Sequence, residues 1–235
     1  MKELINYEHL RELQHFARLG RMSASMLHEI SNPLTAAMLN LELGDKQSSA
    51  IRRARKDMQI MRRYIEAARQ QVRLQAKATG FRIQPQLDQL KRVVAPLARK
   101  AGVRLYIGLA PECQLHGDPV KFQHIISNLL VNAIEAYGGR NADSRRVNVV
   151  RMTFSYDQSW LTVQVADHGN GIAPEAMPRL FETFYTTKGQ SGRGLGIGLA
   201  IVKQYVTDDF RGSIKVNSSP RRGTCFTVTL PLNRR

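Results

Sequence analysis

The sequence predicts a helical hairpin followed by an α/β sandwich. Three observations carry this. Residues 1–77 hold one proline, Pro33, and two glycines, Gly20 and Gly44, and repeat apolar residues at helical spacing throughout. The texture changes near Ala78-Thr79-Gly80, beyond which short β-rich runs alternate with helical stretches. Apolar residues make up 43% and charged residues 23% of 235 residues, enough for a sizeable core in one or two domains at roughly 150 residues each. The expected division is 1–77 and 78–235.

In the first half, the pattern breaks at Gly44-Asp45-Lys46-Gln47, with Ser48-Ser49 as an N-cap, so two long helices are joined by a short loop. The second helix has a seam. Ile51, Ala54, Met58, Met61, Ile65, Ala68, Val72 and Gln75 alternate spacings of three and four, as in a bundle or coiled coil. A two-helix hairpin cannot bury such a stripe alone. Dimerising into a four-helix bundle does, and packing onto the second half is the alternative. The opposite face is basic, with Arg52, Arg53, Arg55, Lys56, Arg62, Arg63, Arg69, Arg73 and Lys77 opposed by Asp57 and Glu66. It is either a solvated face or a surface for an acidic partner.

In the second half, Phe81–Gln84 reads as a strand and Gln86–Lys100 as a helix closed by Gly102. Val103–Leu109 and Cys113–His116 read as short strands. Pro119–Tyr137 is a helix with proline in its first turn. Val147–Tyr156 and Trp160–Ala166 form a hairpin around Asp157-Gln158-Ser159. Gly169–Arg193 reads as loop and Leu195–Tyr205 as a helix. Ser213–Val216 and Thr224–Leu230 are closing strands. Helices on one face of a sheet are expected.

Thirty-five Lys plus Arg against nineteen Asp plus Glu give a net charge of +16, which favours anionic partners. Two cysteines, Cys113 and Cys225, exclude a disulfide framework and a cysteine-rich zinc site. No apolar run approaches the ~18–20 residues of a membrane span, and the first residues lack the apolar core of a signal peptide.

Two glycine-rich segments carry chemistry. Asp167-His168-Gly169-Asn170-Gly171-Ile172 follows an apolar strand, and Gly192-Arg193-Gly194-Leu195-Gly196-Ile197-Gly198-Leu199 opens a helix. Glycines let backbone approach a ligand closely, and free N–H groups at a helix start suit phosphate. Neither segment is a G-x-x-x-x-G-K-[ST] phosphate loop or a dinucleotide fingerprint. Asn128 and Asn132 are four apart and share a helix face, where two amides either ligate a hard divalent cation or sit as surface polar residues. In the first half, Met22, Met26, Ile30, Leu34, Met38 and Leu41 form an apolar stripe that turns His28 outward. An exposed His beside Glu29 suits a nucleophile whose ring proton the carboxylate accepts. Pro33 kinks the helix just beyond.

Five segments in this order resemble the catalytic core of the bacterial two-component sensor histidine kinases. They are SASMLHEISNPLTAAM, HIISNLLVNAIEA, VADHGNGI, LFETFYTTK and GRGLGIGLAIV, with GTCFTVTLP resembling the family's last strand pair. The resemblance implies a dimeric helical hairpin with His28 as phospho-acceptor, then an ATP-binding sandwich of the gyrase, Hsp90, histidine-kinase and MutL type. It implies Mg²⁺ on Asn132, Asn128 lining the same edge, and the adenine amino group on Asp167. Gly169, Gly171, Gly194, Gly196 and Gly198 shape pocket and lid, Lys188 and Arg193 contact phosphate, and Leu195 and Thr224 complete the cofactor-binding set. Related ATPases place a carboxylate one turn before the metal asparagine. Asn128 stands there, which favours transfer to a protein nucleophile over hydrolysis. His168 between Asp167 and Gly169, and Thr183 before Phe184, depart from the family pattern.

The implied function is ATP-dependent autophosphorylation of His28 and transfer to an aspartate of a response-regulator receiver domain. Asn32, one turn after His28, is associated in the family with dephosphorylating that regulator. The partners expected are a second copy, the receiver and ATP, without nucleic acid. The location expected is cytoplasmic, with membrane contact only through an upstream segment. The alternatives are a phosphatase-dominant relative, or a nucleotide-regulated basic helical dimer binding nucleic acid.

Overall fold

A computed structural model describes residues 78–138, 147–183, 185–186 and 196–232, together with Met58. The backbone divides into two units, Met1–Gln75 and Ala76–Arg235. The elements that follow belong to the second, and the hairpin lies outside the described residues except for Met58.

Strand β1 (Thr79–Arg82) runs directly into helix α1 (Ile83–Lys100). The sequence placed the strand at Phe81–Gln84 and the helix start at Gln86. The helix begins earlier because Pro85 falls in its first turn, where a missing N–H breaks no helical bond. Its buried row is Ile83, Leu87, Leu90, Val94 and Ala98. Gly102, with φ +66, takes the left-handed turn that ends it. β2 (Val103–Ile107) and β3 (Gln114–Gly117) follow, and β1 pairs antiparallel with β3, putting Phe81 opposite Leu115 in a separate two-stranded sheet.

Helix α2 (Pro119–Glu135) starts on Asp118, whose Oδ1 accepts from the N–H groups of Val120 (2.8 Å) and Lys121 (3.3 Å). Phe122, Ile125, Ile126, Leu129, Leu130, Ala133 and Ile134 form its buried face. Against them a five-stranded sheet turns Val150, Met152, Leu161, Val163, Val165, Phe226, Val228 and Leu230 inward. Each such side chain contributes about 1.5–3 kcal/mol when fully buried. The strands are β4 (Asn148–Tyr156), β5 (Trp160–Asp167), β6 (Ser213–Ser219) and β7 (Gly223–Pro231), in the order β2-β4-β5-β7-β6. Only β2–β4 is parallel. The β4–β5 hairpin closes on Asp157, whose Oδ1 accepts from Ser159 and Trp160, both at 2.7 Å.

Further differences from the sequence reading lie after Gly169. The stretch expected as loop after Gly169 contains a 3₁₀ turn, Pro174–Arg179. The helix expected from Leu195 is α3 (Gly198–Gln204), seven residues long, continued by a five-residue π-turn, Tyr205–Asp209. Gly196 at φ +66 precedes it, a left-handed conformation that a right-handed helix cannot contain.

Candidate nucleotide-binding site

Asp167 ends β5, the central strand of the five-stranded sheet. It continues the inward row of Leu161, Val163 and Val165 and is 6% exposed, an acid at the end of an apolar row. Its Oδ1 accepts the Gly169 N–H at 2.8 Å, so carboxylate and glycine turn are one unit.

That turn is pinned from three sides. Asn170 donates its backbone N–H to Ala136 O (2.9 Å) and its Nδ2 to Gly138 O (3.1 Å), at the end of α2. Arg221 N–H donates to Asn170 O at 2.7 Å from the β6–β7 turn. Ile172 N–H donates to Ser218 Oγ at 2.9 Å. A Cβ on Gly169 would stand 2.6 Å from Ala136 Cβ. At Gly171, with φ +68, it would stand 2.0 Å from Ser219 O. Both glycines are therefore demanded by close approach.

Thr224 shares this node. Ser218 Oγ donates to Gly223 O at 2.9 Å, and its 2.8 Å contact with Thr224 Oγ1 is then a bond donated by the threonine. Tyr137, 6% exposed, is a second node. Its hydroxyl donates to Val149 O (2.6 Å) and accepts from the N–H groups of Val149 (3.2 Å) and His168 (2.8 Å). Sequence reading named Thr224 but missed Ser218 and Tyr137. The available signals were a hydroxyl at Ser218 in phase with Ile214 and Val216, and a tyrosine closing an apolar helix, whose hydroxyl needs a partner once buried.

The second glycine segment meets the same helix. A Cβ on Gly198 would lie 2.6 Å from Asn128 Oδ1, while Asn128 Nδ2 donates to His124 O at 2.9 Å. Asn128 thus turns its amide toward α3 and its own helix. Gly198 meets α2 at Asn128 and Gly169 meets it at Ala136. Asn132, half-buried, lies midway, four residues from each. Lys203 of α3 stands 5.5 Å over the Phe181 ring, which joins Phe181 to α3, while Arg179 stands 4.4 Å over Tyr185 and bonds Glu182 at 2.9 Å. His28, Glu29, Asn32, Lys188, Arg193, Gly194 and Leu195 lie outside the described residues.

Beyond Asn128 the edge of α2 carries His124 and Lys121. Burial lowers the His124 pKa, against the pull of Asp118. Burial first, then Asp209 and Asp118, push Tyr205 up to about 12. Among the described residues no group of three or more His, Cys, Asp or Glu could hold a metal ion. A divalent cation beside Asn132 would take an amide oxygen and draw its other ligands from phosphate and water, the habit of Mg²⁺. The site fits such an ion only together with a nucleotide.

Residues 117–234 match the histidine kinase-, DNA gyrase B- and HSP90-like ATPase family, and residues 18–77 match the His Kinase A (phospho-acceptor) domain. Sensor histidine kinase CusS of Escherichia coli K12 is 32% identical over 236 residues, covering 92% of this chain and 46% of CusS. Signal transduction histidine-protein kinase AtoS of the same strain is 26% identical over 233 residues, covering 95% and 36%. The chain therefore spans less than half the length of either. Histidine kinase ThkA, solved in complex with response regulator protein TrrA, has a TM-score of 0.65 at 21% identity, covering 98% of this chain and 67% of ThkA. Acinetobacter baumannii histidine kinase AdeS has a TM-score of 0.62 at 17% identity, covering 88% and 98%. The chain belongs to the histidine kinase-, DNA gyrase B- and HSP90-like ATPase family, as the catalytic core of a two-component sensor histidine kinase.

Proposed function

We propose that this chain is an ATP-dependent protein-histidine autokinase that phosphorylates His28 and passes the phosphoryl group to an aspartate of a response-regulator receiver domain. One observation carries the reading: both glycine segments close on α2 one turn either side of Asn132, beside the buried carboxylate of Asp167. In this reading Asp167 accepts a hydrogen bond from the adenine amino group. Glycine backbone lies against the nucleotide, and Lys188 and Arg193 hold phosphate oxygens. Asn132 would hold Mg²⁺, which would supply charge neutralisation on the phosphates. A nitrogen of the His28 ring bonds to the γ-phosphorus as the bond to the bridging oxygen breaks and ADP leaves, and Glu29 takes the ring proton. The receiver aspartate then takes the phosphoryl group from His28.

The hairpin is the dimer interface in this proposal, and its basic second helix docks the acidic receiver surface. The ThkA complex with a response regulator supports that partner class. No nucleic acid is a partner. The location is cytoplasmic, with membrane contact only through an upstream segment. Among the described residues no helix is long and apolar enough to cross a membrane.

The test is label from γ-labelled ATP. Wild type should acquire acid-labile, alkali-stable label, and His28→Gln should bind ATP but acquire none. Undiminished labelling of His28→Gln overturns the assignment. Asn32 orients a water in line with the regulator's aspartyl phosphate, a step that needs positioning more than a strong base. Asn32→Ala should slow loss of phosphate from the regulator at least ~10-fold, about 1.4 kcal/mol, and by more than it slows autophosphorylation. Equal slowing of both would assign Asn32 to the helix alone.

A further inference from the structure

One row of side chains on α2 organises the approach of α3. Lys121, His124, Asn128 and Asn132 follow at spacings of three, four and four, so they share one edge of the helix. The segment from Gly198 to Asp209 meets the first three. At its start, Gly198 lies against Asn128 Oδ1 so closely that a Cβ would stand at 2.6 Å. At its far end, the Tyr205 ring meets the His124 ring edge-on, with centroids 6.4 Å apart and planes at 70°. Lys121 Nζ bonds Asp209 Oδ1 at 2.5 Å and lies 5.4 Å over the Tyr205 ring. His124 joins the two ends, because its carbonyl accepts Asn128 Nδ2 at 2.9 Å. The fourth position, Asn132, is one turn past the point where Gly198 stops.

The far end is held by unusual backbone. Tyr205–Asp209 is a π-turn, closed by Phe210 N–H on Tyr205 O at 2.9 Å. Such turns insert a residue into a helix and must be stabilised by their surroundings. Here Phe210 is buried against Gly117, where a Cβ would stand 2.3 Å from its ring, and Tyr205 is 6% exposed. With seven residues, α3 is about 10 Å long, so a shift at one end is a shift at the other.

We propose that Lys121, Tyr205 and Asp209 are positioning residues of the nucleotide site, clamping the far end of α3 so that Gly198 closes on Asn128 and leaves Asn132 to the ligand. The inference rests on the ATP-binding reading above. Releasing the clamp frees α3 to slide along α2, which costs nucleotide affinity without touching any group that meets the nucleotide.

Calorimetric titration of the full chain with Mg²⁺ and a non-hydrolysable ATP analogue tests this, using Lys121→Met, Asp209→Asn and the double exchange Lys121→Asp with Asp209→Lys. Each single variant should lose about 5-fold in affinity, and the double exchange should recover to within about 2-fold of wild type. Hydrogen exchange of the Gly198–Gln204 amides in nucleotide-free Asp209→Asn should quicken, while amides of β5 and β7 keep their wild-type rates. Wild-type affinity in both single variants overturns the clamp. So does a loss that the exchange fails to recover, or faster exchange spread over the whole sheet. A wild type that binds no nucleotide overturns the ATP reading itself, and the exchange rates then still judge whether the ion pair holds α3.

Discussion

Tyr137 has one hydroxyl and three backbone partners, and that ratio makes its removal costly. Tyr137→Phe keeps the ring packing but removes the hydroxyl that Val149 N–H, Val149 C=O and His168 N–H share. An unsatisfied buried polar group costs about 1–3 kcal/mol. At about 2–4 °C per kcal/mol for a unit of this size, the melting temperature should fall by several degrees. Nucleotide affinity should fall too, because His168 follows directly on Asp167. Scanning calorimetry with and without nucleotide checks both, and an unchanged melting temperature would remove Tyr137 from the site's support. The contrast with Asp167 shows what sequence can carry. An acid ending an apolar strand before two glycines announces itself by residue type. The backbone partners of the Tyr137 hydroxyl lie 12 and 31 residues away along the chain, and the Ile172 N–H that Ser218 Oγ accepts lies 46 away, so no local pattern marks them.

At the scale of elements, periodicity predicted α1, α2, the β4–β5 hairpin and the closing strands, because each buries one face and alternates at its own period. Pairing was not legible: that β1 joins β3 apart from the main sheet, and that β2 lies parallel to β4, depends on what the two helices cover. The limits of α3 were also hidden, since they follow from the left-handed Gly196 and from a π-turn stabilised by tertiary contacts. That π-turn gives a pH-dependent stability. Tyr205 is pushed up to about 12 from 10.0, first by burial, then by the carboxylates of Asp209 and Asp118, with Lys121 and His124 packed beside it. Between those two values the native state keeps the phenolic proton that the unfolded chain releases. The contribution is fully present below pH 10 and is lost as pH rises toward 12, so stability falls through that window. Tyr205→Phe has no such proton. Melting curves of wild type and Tyr205→Phe should therefore differ by a constant gap from pH 7 to 9, with wild type losing ground above pH 10. Parallel curves through pH 11 would contradict the burial of Tyr205 as the source.

For the whole molecule, the +16 net charge and the heptad pattern from Ile51 to Gln75 both serve, in this proposal, contacts with other chains. A surface this basic gives long-range steering toward acidic partners that weakens with salt. The seam gives something more local. Met58 lies third in the row from Ile51 to Gln75 and is 49% exposed within a single chain, although its row is apolar at seven of eight positions. A seam residue half in water is the pattern expected when a second hairpin supplies the other half of the packing. Met58→Lys exploits this. In one chain, a lysine at an exposed position extends its charge into solvent and costs little. In a four-helix bundle, the same charge would enter the core twice, once from each hairpin, where an unpaired ion is strongly disfavoured. Sedimentation at micromolar concentration should therefore find wild type dimeric and Met58→Lys monomeric. Circular dichroism should show the variant's helix content largely retained, and its ATP affinity should match wild type, because the residues proposed to meet the nucleotide all lie within the ATPase-family match at 117–234. A Met58→Lys chain that remains dimeric would place the seam against something other than a second copy. A wild type that is monomeric at the same concentration would refute the bundle outright.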